Sequence, residues 1–494
     1  MICRALMFGG RTRKQPTIIF DIMSPSAALL LWLLLLTVLF RLDPATGRGP
    51  SPALWVPLVW LFIAATRLPS QWLGGDVGGA TAEAIEQGNP LDRSIYCALI
   101  VLAIGTLMSR SFQYGEFLRR NPALTAFLCF CLLSVLWSDF PLIALKRWFR
   151  DLGDYLVILV ILSDPRPLEA IRMVLRRLCF LSIPLSIVFI KYYPQLGIHY
   201  SFWTGAPEYV GASTSKNTLG ALCLISILIF YWDTALRWHN RTTRETKRIV
   251  AINAAFLVMT LWLLHLSNSD TSLVCAVIGC FFISAISSRW GRRYPGLLKM
   301  LMPGSFILYL TLDLGFDMNG QFARELGRNP NLTGRTEIWH NLLSLHTNPL
   351  LGTGYESFWL GPRLTKIWSL CGYINEAHNG YLDIYLNLGL IGLALLLIFL
   401  VSSYRTVCNR LDRKSGLASF GAAIWTLLLF YSVTEAAFKN GMIWMVFLLA
   451  TAVVPPALKL RGSSSATDLR KEPVTPGIRE AEAVLTPRAA AVLR

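Results

Sequence analysis

Residues 379–404 read NGYLDIYLNLGLIGLALLLIFLVSSY, a predominantly apolar block that ends at Arg405. Crossing the ~30 Å of bilayer hydrocarbon takes about 20 residues of helix, and this stretch supplies them. Inside lipid the backbone N–H and C=O groups must pair within their own segment, so a run of this length is a helix. A transmembrane β-barrel would show roughly ten-residue segments of alternating character instead, and is set aside.

Working outward, further apolar blocks stand at about 24–40, 51–66, 94–109, 123–138, 141–163, 172–192, 216–234, 249–267, 270–288, 296–314, 417–434 and 438–457. The 494-residue chain is 54% hydrophobic and only 15% charged, too little charge to cover a soluble domain of this size. The reading is all-α: a polytopic integral membrane protein with 12–13 transmembrane helices. No internal repeat of 20–50 residues is visible. The first block is too leucine-rich, and too poorly followed by a small-residue cleavage site, for a signal peptide.

A formal charge of +17 invites a nucleic-acid reading, but the charges sit in particular loops. Segments 110–120, 166–177, 237–248, 289–299 and 405–414 are basic and alternate with short, acidic or mixed loops. That is the positive-inside pattern, and no nucleic-acid partner is implied. Thirteen spans put the N-terminus outside, whereas Arg4, Arg11, Arg13 and Lys14 argue for inside. Either one early span does not cross, or the start is downstream, for instance at Met23. Most of the ten cysteines lie inside apolar blocks as small hydrophobes, and no disulfide is expected. The expected organisation is a membrane domain over 1–458, a long outer loop at 315–378 and a disordered cytoplasmic tail over 459–494. Within the loop, Thr336–Leu345 reads as helical, with Pro330, Thr333 and Gly334 as turn and cap.

On this topology the unusual polar residues collect on the outer side, where few cations are expected. Trp137-Ser138-Asp139-Phe140-Pro141 leads to Lys146, Arg147 and Arg150. His199, Glu208 and Ser215-Lys216-Asn217 follow, then Gly334-Arg335-Thr336-Glu337-Ile338-Trp339, Glu376-Ala377-His378-Asn379, and finally Glu435 and Lys439. Each has an ordinary explanation. Arg147 and Arg150 can snorkel to the interface. Ser215-Lys216-Asn217 and Asn379 can cap helices, and Glu435 can pair locally with Lys439. Arg335 resists this treatment, because a cation at a helix N-terminus opposes the dipole.

Together the residues suggest more. A histidine titrating near neutrality can take a proton from a hydroxyl. Fixed cations around it suit a pyrophosphate. Aromatics at Trp339, Tyr355, Phe358, Trp359, Trp368, Tyr373 and Tyr381 offer platforms for sugar rings. The sequence shows no clustered Asp/Glu/His ligand set, no Walker-type loop and no Ser-His-Asp order, so metal-free transfer without a cofactor is expected.

The chain resembles the O-antigen ligase and polymerase superfamily. Trp137-Ser138 with Pro141, and Ser215-Lys216-Asn217-Thr218-Leu219-Gly220, resemble its front half. Gly334-Arg335-Thr336-Glu337-Ile338-Trp339, Asn348-Pro349-Leu350-Leu351-Gly352-Thr353-Gly354-Tyr355 and Ser357-Phe358-Trp359 resemble its signature outer loop. His378-Asn379-Gly380-Tyr381-Leu382 with Gly389-Leu390-Ile391-Gly392 resembles the start of the next helix. The match runs in order over about 130–400. Lys216-Asn217, where ligases more often carry an arginine, resembles the ExoQ-like exopolysaccharide branch.

The resemblance implies a glycosyltransferase of the bacterial inner membrane with its site facing the periplasm. Its donor would be an undecaprenyl-pyrophosphate-linked oligosaccharide, and its acceptor a glycan or lipid A core. A chain-length regulator and export proteins are implied as partners. His378 matches the family's proposed general base, Arg335 the arginine that stabilises the departing pyrophosphate, and Lys216 a second cation. Arg147, Asn217, Trp339, Tyr355, Asn379 and Glu435 are carried as substrate-binding. The attack would invert the anomeric carbon. Polymerase and ligase share donor and chemistry and stay unseparated by sequence. A lipid-linked sugar transporter would put ionisable residues near the bilayer midplane, and the spans read as nearly free of buried charge.

Overall fold

The computed structural model describes residues 23–43, 51–74, 86–201, 205–238, 242–316, 335–345, 347–439 and 441–454. Arg4 to Lys14, the Pro330–Gly334 turn and the tail from 459 lie outside the described residues. Each expected block carries a helix: α1 (Pro25–Leu42), α2 (Trp55–Ala65), α3 (Pro90–Ser109), α4 (Pro122–Leu133), α5 (Pro141–Leu162), α6 (Pro167–Tyr192), α7 (Lys216–Arg237), α8 (Arg244–Ser267), α9 (Asp270–Ser287) and α10 (Pro295–Phe316). After these come α11 (Arg335–Leu343) and α12 (Gly361–Cys371) in the long loop, then α13 (Gly380–Asp412), α14 (Ala418–Thr434) and α15 (Met442–Thr451). Local chemistry places the starts. Proline opens α1, α3, α4, α5 and α6, where its missing N–H costs nothing. Ser24, Asn89, Ser215, Thr243 and Asn379 cap their helices with side-chain oxygens.

Eight of these helices are long and apolar enough to cross a membrane by themselves. The other blocks depart for physical reasons. α2 with the turn ahead of it (Pro52–Ala65), α14 and α15 are short, and α4 meets the preceding Tyr114–Arg120 helix at 104°. α5 carries Lys146, Arg147, Arg150, Asp151 and Asp154. α6, α7, α14 and α15 form the core, whereas α1 turns Leu30, Leu31 and Leu34 outward at 61%, 54% and 65% exposure. A row of bare leucines on an outer helix belongs against lipid. The protein is a multi-pass, all-α membrane protein. Among the described residues the strand content is one small hairpin, Ile198–Tyr200 with Pro207–Tyr209, which places His199 opposite Glu208.

The spans are not free of buried charge, contrary to the sequence reading. Asp233 in α7 is fully buried and accepts from Arg172, from Arg176 at 2.7 Å, from Arg237 at 3.2 Å and from Asn253 at 2.9 Å. Arg176 also reaches Asp43 at 3.2 Å. In α5, Asp151 pairs with Arg150 at 2.8 Å, and Asp154 accepts from Trp60 at 2.5 Å. A hydropathy count averages such pairs into their apolar surroundings and misses them. The Asp43–Arg176 bond also puts the end of α1 beside the basic-loop end of α6, and Arg110 bonds Ser51 ahead of α2. α1 therefore ends, and α2 begins, beside the basic loops, and α1 begins at the opposite end.

That opposite end is organised by a break in α13. Gly389 adopts φ 65°, ψ −166°, a conformation in which a side chain is strained, and a Cβ there would strike the Leu350 carbonyl. The long loop ahead of α13 fills the gap. Leu390 and Ile391 donate to the carbonyls of Pro349 and Leu350 at 2.9 and 3.2 Å, and Thr353 and Gly354 donate to Leu386 and Asn387 at 3.3 and 2.8 Å. Non-helical backbone at membrane depth survives only where protein satisfies it. The Trp137 indole closes the arrangement on the Leu351 carbonyl at 3.1 Å, and the Ser134 hydroxyl accepts from the Tyr355 N–H at 3.0 Å.

Candidate functional site

Four elements converge above the broken helix. The loop before α13 brings Glu376 and His378, the α14–α15 turn brings Glu435 and Lys439, α11 starts with Arg335, and α7 starts with Lys216 and Asn217. Arg335 Nη2 lies 2.9 Å from Glu435 Oε1. The Asn217 amide donates to both Glu435 oxygens at 3.1 and 3.2 Å. His378 Nδ1 sits 3.1 Å from Glu376 Oε1 and 3.6 Å from Glu435 Oε2. Nδ1 is buried and faces both carboxylates, with Glu376 the nearer.

His378 is held by its backbone. Its φ is +48°, a left-handed value that costs a non-glycine residue about 1–2 kcal/mol. The preceding residue is clamped on both sides: Ala377 N–H donates to Asp383 Oδ2 at 3.1 Å, and the Trp339 indole donates to the Ala377 carbonyl at 2.8 Å. On the following side, Asn379 accepts from the Leu382 N–H at 3.1 Å as the cap of α13. Strain held in place by surrounding bonds is characteristic of functional positions.

Burial opposes charge on His378, but the carboxylates of Glu376 and Glu435 outweigh it and hold its pKa up to about 9. Burial likewise opposes charge on Glu376, and His378, Lys439 and Arg335 outweigh it to keep that carboxyl below its ordinary value. The imidazolium therefore predominates at neutral pH.

The other expected residues are placed less uniformly. Lys216 turns to Glu208 at 2.8 Å and is 41% exposed, so its neighbour Asn217, rather than Lys216, reaches Glu435. Arg147 donates to the Glu356 carbonyl at 2.8 Å and lies 3.9 Å from its carboxylate. Tyr355 bonds Asp151 at 2.8 Å and serves as a strut between the loop and α5. Phe358 and Trp359 are buried in the loop's own core and present no face to a sugar, whereas Tyr373 is 80% exposed beside Trp368. Lys439 does not pair with Glu435. It reaches Asp383 at 3.5 Å and lies over the Trp359 ring at 5.2 Å.

Sequence reasoning missed Asp383, Glu356 and the cluster itself. The signal for Asp383 was a lone carboxylate at the head of an apolar run. The expectation that no His/Asp/Glu set clusters is corrected: Glu376, His378 and Glu435 place ligand-type atoms within 4.8 Å of one another. The carboxylate of Glu435 is already engaged. Arg335 and Asn217 donate to Glu435, so a divalent ion would have to displace a guanidinium to enter.

Two known protein groups are similar to this chain. The O-antigen ligase family model matches residues 254–397, a range that contains Arg335, Trp339, Tyr355, His378 and Asn379. The exopolysaccharide production protein ExoQ of Rhizobium meliloti (strain 1021) is 24% identical over 302 residues, covering 58% of this chain and 65% of that relative. The chain thus matches just under two thirds of the relative's length. With the helical architecture, these matches make the chain a multi-pass membrane protein similar to the O-antigen ligase family and to ExoQ.

Proposed function

We propose that the protein is a glycosyltransferase of the inner membrane that joins undecaprenyl-pyrophosphate-linked oligosaccharide units into exopolysaccharide at the periplasmic face. The observation that carries this reading is the meeting of His378, Arg335 and Glu435 from three separate elements at the end opposite the basic loops. An acceptor hydroxyl attacks the anomeric carbon of the donor sugar as its proton passes to His378 Nε2. The new C–O bond forms as the bond to the diphosphate breaks, and the electron pair leaves on the diphosphate. Arg335 meets that growing charge, and attack opposite the leaving group inverts the carbon. Fixed cations where charge develops are worth most in a site partly shielded from water. The imidazolium formed by transfer is held by Glu376 and Glu435. Donor binding draws Arg335 from Glu435, so the resting ion pair acts as a placeholder for the phosphate.

The test supplies purified protein with an undecaprenyl-pyrophosphate-linked repeat unit in the presence of EDTA and follows product size. A ladder that is lost in His378→Ala and Arg335→Ala supports a metal-independent polymerase. Restoration only by added divalent ion would assign the Glu376–His378–Glu435 cluster to a metal. Transfer that needs lipid A core would make the protein a ligase, and no transfer with either acceptor would remove the enzymatic reading.

A further inference from the structure

We propose that Glu376 is a positioning residue for His378: its carboxylate fixes Nδ1 as the protonated ring nitrogen and leaves Nε2 to face the acceptor hydroxyl. The inference rests on the general-base reading above and adds the group that makes the base usable. Two carboxylates approach Nδ1. Glu435 is already engaged by Arg335 at 2.9 Å and by the Asn217 amide. Glu376 is closer, at 3.1 Å, and His378 is its partner in the site. Its side chain is 35% exposed, so packing does not account for its placement.

The ring's own burial agrees. Nδ1 is buried although the His378 side chain keeps 26% exposure, so the open edge is the one that bears Nε2. Which imidazole nitrogen carries the proton is set by the partner of the other one. A carboxylate at Nδ1 is the arrangement that holds a catalytic histidine in its working tautomer. Other charged or titratable groups bear on this pair. Glu435 and Lys439 come from the α14–α15 turn, Arg335 from α11, Asp383 from α13 and the Tyr431 hydroxyl from α14. Replacing Glu376 leaves these residues themselves unaltered, and the Gln and Asp variants together isolate its charge.

The experiment uses full-length protein carrying ¹⁵N-labelled histidine, with His378→Gln identifying the His378 signals among the six histidines. Wild type is expected to show the Nδ1–H tautomer once His378 is neutral. Glu376→Gln is expected to lose that preference, to titrate at least one pH unit lower, and to move the acid limb of kcat/KM down with it. Its plateau should fall at least tenfold, and by as much as ~10⁴-fold. Glu376→Asp, which keeps the charge, should recover part of the plateau and the original limb, and size-exclusion profiles check that each variant is folded. An Nε2–H tautomer in wild type, or a Glu376→Gln variant that loses activity with the titration and limb unmoved, would overturn the inference. If His378→Ala retains transfer, the base reading fails by itself, and the NMR titration still decides whether Glu376 governs the ring.

Discussion

Arg335 Nη2 sits 2.9 Å from Glu435 Oε1, an ion pair between residues 100 positions apart. It opposes the dipole of α11, since a cation at a helix N-terminus is disfavoured. The carboxylate opposite offsets that cost, and the diphosphate would take the same place. Arg335→Ala should lower kcat/KM by roughly 10²–10³-fold, as removal of one donor from a developing anion does elsewhere. Arg335→Lys should recover only part, because a point charge does not reproduce the bidentate fork. Lys216→Ala should cost about tenfold or less, given that Lys216 is half-exposed and turned to Glu208. Rates of transfer from the lipid-linked repeat unit decide the order, and equal losses at 216 and 335 would put both cations on the phosphate.

The pH dependence has a definite sign. With the His378 pKa held up to about 9, only about 1% of the imidazole is neutral at pH 7. If His378 is the base, kcat/KM should climb about tenfold per pH unit through neutrality and level off near pH 9. Stability runs the other way. The folded-state pKa is raised above the unfolded value of about 6.5, so the contribution of His378 is complete below that value and is lost as pH rises through about 9. Thermal melts of wild type and His378→Gln should therefore differ most near pH 6 and converge above pH 9.5. An activity plateau already reached at pH 7 would mean that another group takes the proton.

Much of this was legible in the residues because the relevant physics is local. Apolar length marks a span, proline opens a helix, and Ser215 and Asn379 cap where they stand. At Ser215-Lys216-Asn217 the capping and functional readings prove compatible: Ser215 accepts from the Thr218 N–H at 3.1 Å while Asn217 reaches Glu435. What stayed hidden depends on partners far away in sequence. Nothing near Glu435 announces Arg335, and nothing near Asp233 announces Arg172 and Arg176 on another helix. In the sequence the motifs at 137–141, 348–355 and 389–392 stand far apart. They are one structure, since the loop backbone of the second fills the break in the third and is bonded by the Trp137 indole of the first.

Gly389→Ala tests that structure. The residue must hold φ 65° with the Leu350 carbonyl packed against its α-carbon. Left-handed backbone costs a side chain about 1–2 kcal/mol before any collision, and the collision lies against backbone that cannot rotate away. The variant should melt lower and lose transfer together, because the same loop leads through Tyr355 and Trp359 to the site. Gly105→Ala in α3, where a Cβ meets nothing within 4 Å, is the control and should leave both unchanged. A Gly389→Ala protein with a wild-type melt would show that α13 closes its break without the loop.

Sidedness remains to be tied to the geometry, and two exposed residues at opposite ends of the bundle do so. Lys366 is exposed on α12, in the long loop that leads to the site, and Arg413 is exposed just beyond α13 among the basic residues. The positive-inside rule puts Arg413 in the cytoplasm and, at the opposite end, Lys366 in the periplasm. Cys97 and Cys129 are exposed, so the test needs a cysteine-free background. In that background Lys366→Cys should react with an impermeant thiol reagent in intact cells once the outer membrane is made permeable. Arg413→Cys should react only after lysis. The reverse pattern would place His378 and Arg335 in the cytoplasm, where a donor presented at the periplasmic leaflet cannot reach them, and the proposed reaction would fail with it.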